Sequence, residues 1–221
     1  MPLVISGKSI ERVSVIDDDR SVRDAYEYAI EELQLKAISE EGPIDNLEQF
    51  VQITSSKSDA AICDHHLKVK MYAKFNGAQL VSRWYQNKFP AVLCTRLEGA
   101  IHEIRKYRRF IPVLLQPDEL EPESMIKGFQ RCIEEFGEKF QPSRRPWRTL
   151  VRIEEVDAEG VNKSFHIVVP GWNPNKFIQL QCKDVPKEVQ SRIAVGARFH
   201  ASVNIGATKI EDLYFEEWEV D

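Results

Sequence analysis

The chain has 221 residues, of which 43% are hydrophobic and 29% are charged, and its formal net charge is −5. This length and composition predict a globular protein of roughly two domains and exclude a disordered or low-complexity chain. The negative net charge argues against a nucleic-acid-binding protein, because such proteins neutralise phosphates with a surplus of Lys and Arg on one face.

The N-terminal residues do not have the pattern of a leader or an anchor. Lys8 follows the apolar residues of this segment instead of preceding them, and no stretch of the chain has the ~18 consecutive apolar residues of a membrane span. We therefore expect a cytoplasmic protein without a membrane partner. The cysteines lack the CxxC spacing of a zinc or redox site, so we expect free thiols, buried in apolar runs at Cys63, Cys94 and Cys132.

From residue 12 to about residue 140, short apolar runs alternate with longer segments of helical period. The apolar runs predict five strands, at residues 13–16, 36–39, 60–63, 91–94 and 111–115. Apolar stripes between and after these runs predict five helices, the fourth on the stripe at residues 100–107. Strict alternation of this kind predicts an α/β fold with a doubly wound, five-stranded parallel sheet over residues 11–140.

The pattern changes after residue 140. Two prolines and three arginines without an apolar period predict a linker at residues 141–148. Alternating segments at residues 149–156, 164–169, 177–182, 197–205 and 210–218 predict five strands, residues 157–160 predict a turn, and residues 186–193 predict a short helix. Closely spaced strands predict that residues 149–221 form a small all-β domain, either a barrel of the OB or SH3 kind or a sandwich.

Acidic side chains follow two of the predicted strands of the first domain. Asp17, Asp18 and Asp19 come directly after the first strand, and Asp64 follows the third. In a sheet of order 2-1-3-4-5 these two strands are neighbours, so the carboxylates meet at the edge where ligands bind. Crowded carboxylates repel one another, and Mg²⁺ held by one or two of them with several waters is a natural solution. Asp19 is expected to cap the helix that follows.

Polar side chains also follow the fourth and fifth predicted strands, as Thr95 and Gln116. The steps are 46 residues from Asp18 to Asp64, 31 from Asp64 to Thr95 and 21 from Thr95 to Gln116. With this arrangement, residues 12–140 resemble the receiver domain of two-component response regulators. In that family, the phosphohistidine of a histidine kinase or phosphotransfer protein donates its phosphoryl group to an aspartate.

The resemblance implies a role for each of these residues. Asp64 is the phosphoacceptor, and Asp17 and Asp18 hold Mg²⁺ together with Asp64 and the backbone carbonyl of His66. Thr95 donates its hydroxyl to a phosphoryl oxygen. These roles agree with the chemistry of phosphoryl transfer, which depends on positioning and on neutralising negative charge.

The sequence departs from the receiver pattern at three positions. Gln116 stands where receivers place a lysine, and its amide donates hydrogen bonds without carrying charge. Arg96 stands where a small residue is usual, and its guanidinium could replace the missing lysine. Val113 stands where many receivers have a switch aromatic. The departures leave open an alternative, a pseudo-receiver that acts as a phosphorylation-independent interaction scaffold.

The run Asp64-His65-His66 also resembles the hallmark of the DHH phosphoesterases, which cleave phosphodiesters with two metal ions. That family needs further His and Asp motifs. The other histidines carry no Asp or His partner at ligand spacing: His102, His166 and His200. Within the receiver interpretation, His66 either faces the phosphoryl group and tunes hydrolysis or is a passive loop residue.

The sequence thus predicts a phosphorelay response regulator rather than an enzyme. The phosphorylated form is expected to signal to a protein output partner through the helix faces or the β-rich domain, and a homodimer is compatible with this role. The aromatic residues of the β-rich domain could stack on bases, but core packing is the preferred interpretation. Residues 144–221 carry 11 basic and 12 acidic side chains, so a nucleic-acid partner is not expected.

Overall fold

The computed structural model describes residues 3–96, 100–157 and 163–220. The chain divides into two compact units. The first comprises Met1–Ala100 and Phe110–Lys139, and the second comprises Ile101–Arg109 and Phe140–Asp221. Over the described ranges, none of the helices combines the length and the apolar character that crossing a membrane requires.

The first unit contains a five-stranded parallel sheet and a separate two-stranded hairpin. The hairpin consists of β1 (Leu3–Ile5) and β2 (Lys8–Ile10). The strands of the parallel sheet are β3 (Arg12–Ile16), β4 (Lys36–Ser39), β5 (Ala60–Cys63), β6 (Ala91–Cys94) and β7 (Leu114–Leu115). Its helices are α1 (Arg20–Glu32), α2 (Leu47–Lys57), α3 (Gly77–Gln86) and α5 (Pro122–Phe136); α4 (Ile101–Arg105) belongs to the second unit. The sheet has the order β4-β3-β5-β6-β7 with every neighbouring pair parallel, which confirms the predicted 2-1-3-4-5 topology.

Local sequence explains where these elements begin and what they bury. Asp19 caps α1, as predicted, by accepting a hydrogen bond from the backbone N–H of Ser21 at 2.9 Å. Tyr26 and Ile30 occupy one buried face of this helix. Every residue of β5 and β6 is buried, as expected for central strands with both faces covered. Cys63, Cys94 and Cys132 are buried free thiols, which confirms their prediction.

Two features of the first unit differ from the sequence prediction. The antiparallel hairpin of β1 and β2 was not predicted, because two three-residue strands are too short to show an alternating pattern. The predicted strand at residues 111–115 shortens to β7, Leu114–Leu115. Pro112 lies in that apolar run and has no N–H to donate to a ladder, so pairing begins only after it.

The second unit contains a separate antiparallel sheet, which confirms a small β domain in the rest of the chain. Its strands are β8 (Trp147–Asp157), β9 (Ser164–Val169), β10 (Asn173–Gln181), β11 (Arg198–Val203) and β12 (Phe215–Glu219), in the order β10-β9-β8-β11-β12. The short helix α6 spans Lys187–Gln190. β8 begins inside the predicted linker, and most of the predicted turn at 157–160 lies outside the described residues. Closure into a barrel or a sandwich stays a prediction.

The predicted aromatic core of the second unit is partly realised. Phe165 and Phe199 are buried, and they pack with the aliphatic side chains of β8, β9 and β11. Trp147 and Phe177 are about half exposed. The ring of Phe215 stacks on that of Trp218 with the centroids 5.8 Å apart.

Residues 101–109 belong to the second unit, although they lie between two strands of the parallel sheet in sequence. They include the five-residue helix α4 (Ile101–Arg105). Arg108 is buried and forms an ion pair with Asp212 at 2.7 Å. Arg109 binds both carboxylate oxygens of Glu216, at 3.1 and 3.2 Å. The guanidinium of Arg144 donates to the carbonyls of Arg108 and Arg109, so long-range polar contacts fix this segment in the second unit.

Candidate functional site

The ends of β3 and β5 bring two of the predicted acids to one edge of the sheet. Ile16 and Cys63, the last residues of these strands, are paired in the parallel ladder. The backbone N–H of Asp64 donates to the carbonyl of Ile16 at 2.9 Å. Because Asp17 and Asp64 directly follow the paired residues, they lie on adjacent strands at the carboxyl edge of the sheet.

Asp17 shows that the carboxylates of this site interact. Its side chain is buried, with the residue only 5% exposed. Burial raises the pKa of Asp17 to about 7, and repulsion by the negative charges of Asp64, Asp18 and Asp19 adds to the shift. The hydrogen bond from the N–H of Asp19 to Oδ1 of Asp17, at 2.8 Å, acts in the opposite direction. A cation at this edge would relieve the repulsion and favour the ionised form of Asp17.

Backbone contacts constrain both the side chain and the main chain of Asp64. Its Oδ2 accepts a hydrogen bond from the N–H of His66 at 2.6 Å. The first turn of α3 packs against its main chain so closely that a Cβ atom on Gly77 would lie 1.8 Å from the Asp64 carbonyl oxygen. Only glycine allows this approach, so the sequence at the start of α3 contributes to the position of the predicted phosphoacceptor.

Thr95 presents a buried hydroxyl that has no partner among the described residues. Its backbone N–H donates to the carbonyl of Leu115 at 2.9 Å, which fixes Thr95 at the end of β6. The residue is 1% exposed, and its Oγ1 makes no hydrogen bond to any part of the chain that the structure describes. A buried polar group in this condition costs about 1–3 kcal/mol. An incoming acceptor such as a phosphoryl oxygen would satisfy it.

The two residues expected to replace the missing lysine are on the surface. Gln116 is exposed, and its backbone N–H donates to Oε2 of Glu119 at 2.8 Å at the start of the 3₁₀ turn Pro117–Glu119. Arg96 is also exposed. The phosphoryl-stabilising roles of both residues stay predictions.

The two histidines after Asp64 have different environments. His65 is buried and His66 is exposed, and their rings meet edge to face with the centroids 5.1 Å apart. The carbonyl of His66, a predicted metal ligand, accepts the N–H of Val69 at 3.3 Å. This long bond leaves the second lone pair of the carbonyl oxygen for another partner.

The donor set fits Mg²⁺ in its chemistry, because it offers carboxylate and carbonyl oxygens. Burial is the main cause of the raised pKa of Asp17, and repulsion by the neighbouring carboxylates adds to it. Across the described ranges, no group of three or more His, Cys, Asp and Glu side chains is arranged to hold a metal ion. Mg²⁺ can be held by one or two carboxylates together with several waters. The joint ligand set of Asp17, Asp18 and Asp64 stays a prediction.

Two cationic residues of the site were missed by the sequence analysis. Arg23 is buried, and its guanidinium donates to the carbonyl of Asp17 at 2.6 Å. Its spacing from Tyr26 and Ile30 on the buried face of α1 could have revealed it, because an arginine on such a face needs a polar partner. Lys70 places its Nζ 3.5 Å from Oδ2 of Asp18, and no sequence pattern marks this contact.

No protein-family profile matches this sequence, and no curated protein matches it either. Several solved structures are similar to it. One is a response regulator receiver domain protein from Clostridium thermocellum, with 12% identity over 58% of this chain and 98% of that chain and a TM-score of 0.44. Another is the chemotaxis response regulator CheY4 of Vibrio cholerae, with 17% identity, 56% and 98% coverage and a TM-score of 0.40.

A third similar structure is the receiver domain of nitrogen regulatory protein C, with 18% identity over 57% of this chain and 97% of that chain and a TM-score of 0.43. All three are receiver domains or response regulators. The strand order of the parallel sheet is that of doubly wound proteins of the flavodoxin and receiver type. The first unit of this chain therefore has a doubly wound α/β fold with a five-stranded parallel sheet of order 2-1-3-4-5.

Proposed function

We propose that this protein is the response regulator of a phosphorelay and that Asp64 accepts a phosphoryl group in the presence of Mg²⁺. The donor is the phosphohistidine of a histidine kinase or a phosphotransfer protein in the cytoplasm. The protein is not itself an enzyme, and its phosphorylated form signals through contacts with a protein output partner or with a second copy of the chain.

The buried hydroxyl of Thr95 is the observation that carries this proposal. A folded protein rarely leaves a fully buried donor without a partner, and such exceptions require an explanation. Thr95 follows β6, the strand next to the one that Asp64 follows, so a phosphoryl group on Asp64 would bring an acceptor oxygen to the same edge of the sheet. Its function as a donor explains why the hydroxyl is kept there.

The chemistry assigns a role to each side chain. A carboxylate oxygen of Asp64 attacks phosphorus, the P–N bond to the donor histidine breaks, and the imidazole leaves with its electron pair. Mg²⁺ supplies positive charge to the phosphoryl oxygens when it is bound. Asp17, Asp18 and the carbonyl of His66 would hold it beside Asp64. Thr95 donates a hydrogen bond to a phosphoryl oxygen.

A pseudo-receiver is the second candidate, and one observation favours it. The side chain at the lysine position is Gln116, which is exposed and uncharged. A charged donor makes a hydrogen bond roughly twice as strong as a neutral one, so the acylphosphate would lose part of its stabilisation. In this alternative the acidic edge, formed by Asp17, Asp18, Asp19 and Asp64, binds Mg²⁺ without phosphorylation. The first unit then serves as an interaction scaffold.

Intact mass spectrometry after incubation with acetyl phosphate and MgCl₂ separates the two candidates. We expect the wild type to gain the mass of one phosphoryl group and Asp64→Ala to gain none. Asp118→Ala, which removes an exposed carboxylate from the 3₁₀ turn after β7, is the matched control and should behave as the wild type.

A mass gain in Gln116→Lys but not in the wild type would favour the pseudo-receiver with one disabling change. The absence of a gain in the wild type and in Gln116→Lys would refute the phosphoacceptor role of Asp64. An undiminished gain in Asp64→Ala would refute it as well.

A further inference from the structure

Lys70 lies over the acidic edge of the first unit. It belongs to the 3₁₀ turn Val69–Met71 in the connection between β5 and α3. Its Nζ is 3.5 Å from Oδ2 of Asp18 and 3.6 Å from Oδ2 of Asp19. The side chain of Asp18 is 12% exposed, whereas that of Lys70 is 63% exposed. The lysine therefore reaches from solvent to a carboxylate that is otherwise mostly covered.

We propose that Lys70 is a tethered counter-ion that competes with Mg²⁺ for the carboxylate of Asp18. In the metal-free protein the ammonium group neutralises part of the acidic edge. Metal binding displaces it from Asp18, so Lys70 lowers the Mg²⁺ affinity and couples occupancy of the metal site to the position of the turn. This inference rests on the proposed function, because it takes Asp18 to be a ligand of Mg²⁺.

Charge explains why the two cations compete. Asp18 has one carboxylate, and an ammonium group in an ion pair with its Oδ2 repels a divalent cation bound to the same carboxylate. Lys70 is exposed, so water and salt screen the repulsion strongly. For a unit charge about 4–5 Å from a divalent ion under such screening, we expect an effect on affinity of about threefold to tenfold.

The turn that carries Lys70 has an unusual backbone conformation. Lys70 and Met71 both have left-handed conformations, with φ of 53° and 55°. Side chains other than glycine adopt this conformation reluctantly, so other contacts must hold it. The hydroxyl of Tyr72 donates to the carbonyl of Glu40 at 2.5 Å, and the N–H of Tyr72 donates to the carbonyl of Val69 at 3.1 Å. These bonds fix the end of the turn.

The same turn touches a second predicted ligand. The N–H of Val69 donates to the carbonyl of His66, the backbone group proposed to bind Mg²⁺. The turn therefore contacts two proposed ligands, one through the side chain of Lys70 and one through its own main chain. Occupancy of the metal site and the conformation of the turn are linked at both contacts.

Isothermal titration with MgCl₂ tests the competition directly, without phosphorylation. We expect Lys70→Ala to bind Mg²⁺ about threefold to tenfold more tightly than the wild type, and Lys70→Arg to stay within about twofold of it. Lys74→Ala is the matched control. Lys74 lies in the same connection, is similarly exposed and pairs with Asp45 at 3.0 Å, so its removal changes the net charge equally without uncovering Asp18.

Thermal denaturation gives a second readout. Lys70→Ala should reach its Mg²⁺-dependent rise in melting temperature at a lower metal concentration than the wild type and Lys74→Ala. Equal Mg²⁺ affinities in Lys70→Ala and the wild type would overturn the role of Lys70 and leave the metal site intact. An equal gain of affinity in Lys74→Ala would also overturn it, since net charge alone would then explain the effect.

Failure of the proposed function gives a different pattern. If neither the wild type nor Lys70→Ala binds Mg²⁺, or if Asp18→Asn binds it as well as the wild type, the assignment of Asp18 as a ligand is wrong. The inference about Lys70 then falls with it.

Discussion

Replacement of Thr95 by valine should stabilise the first unit while it impairs phosphorylation. The substitution removes a hydroxyl that is buried and has no partner among the described residues, and it keeps the branched shape of the side chain. An unsatisfied buried donor costs about 1–3 kcal/mol, so Thr95→Val should raise the free energy of unfolding by about 1–2 kcal/mol. Function would then explain why the less stable residue is present.

Urea denaturation followed by far-UV circular dichroism measures this effect, because the long helices are in the first unit. With an m-value of about 2 kcal/mol/M, the predicted gain moves the midpoint upward by about 0.5–1 M. Thr54→Val is the matched control. The hydroxyl of Thr54 is also fully buried without a partner among the described residues, but it lies on α2, away from the strand ends.

Both variants should therefore be stabilised, and only Thr95→Val should lose phosphorylation of Asp64. A loss of more than about 1 kcal/mol in Thr95→Val would refute the reasoning, because it would mean that the hydroxyl makes a stabilising hydrogen bond in the native state. Normal phosphorylation of Thr95→Val would refute the functional explanation of the buried hydroxyl.

Three further predictions concern other parts of the molecule. The pKa of Asp17 is higher in the folded than in the unfolded protein. Without Mg²⁺, protonated Asp17 therefore favours the folded state at low pH, and this contribution to the free energy of unfolding is lost as the pH rises through about 7. Asp17→Asn should accordingly raise the stability at pH 8 by about 2–4 kcal/mol in urea titrations and flatten the pH dependence. Arg108→Ala removes a buried arginine from its ion pair with the partly exposed Asp212 and should destabilise the second unit by about 1.5–3 kcal/mol, measured by tryptophan fluorescence during unfolding. Arg148→Ala, from an exposed pair, should cost less than about 1 kcal/mol in the same assay. Gly77→Ala places a Cβ 1.8 Å from a backbone oxygen and should lower the melting temperature strongly, whereas Gly137→Ala, at 3.5 Å, should not.

The parallel sheet could be predicted from the sequence because its strands are continuous apolar runs separated by amphipathic helices. The order 2-1-3-4-5 then placed the acids at one edge. The prediction was wrong where a local feature broke the pattern, as Pro112 does by shortening β7. The hairpin of β1 and β2 escaped detection because three residues do not establish a period.

Residues 101–109 show the limit of periodicity. The apolar stripe at residues 100–107 indicated a helix, and α4 is there, but periodicity does not say which unit the stripe packs against. That choice depends on pairs such as Arg108 and Asp212, which are 104 residues apart in the chain. Contacts between residues so far apart in the chain cannot be predicted from local sequence patterns.

The candidate site likewise has features that the sequence predicts and features that it does not. The strand-end rule correctly placed Asp17, Asp64 and Thr95 after neighbouring strands, because parallel strands all present their carboxyl ends at one edge. It did not reveal that the Thr95 hydroxyl has no partner within residues 3–96, 100–157 and 163–220, since that depends on the packing around it. Nor did it reveal Lys70, which contacts Asp18 from a connecting turn with left-handed backbone angles.

Direct identification of the modified side chain tests the central claim. The protein is incubated with acetyl phosphate and MgCl₂, the acylphosphate is reduced with borohydride, and the peptides are sequenced by mass spectrometry. Conversion of Asp64 to homoserine, dependent on Mg²⁺ and lost in Thr95→Val, is the predicted result. Modification of another carboxylate in place of Asp64, or none under conditions that label a known receiver domain, would contradict it.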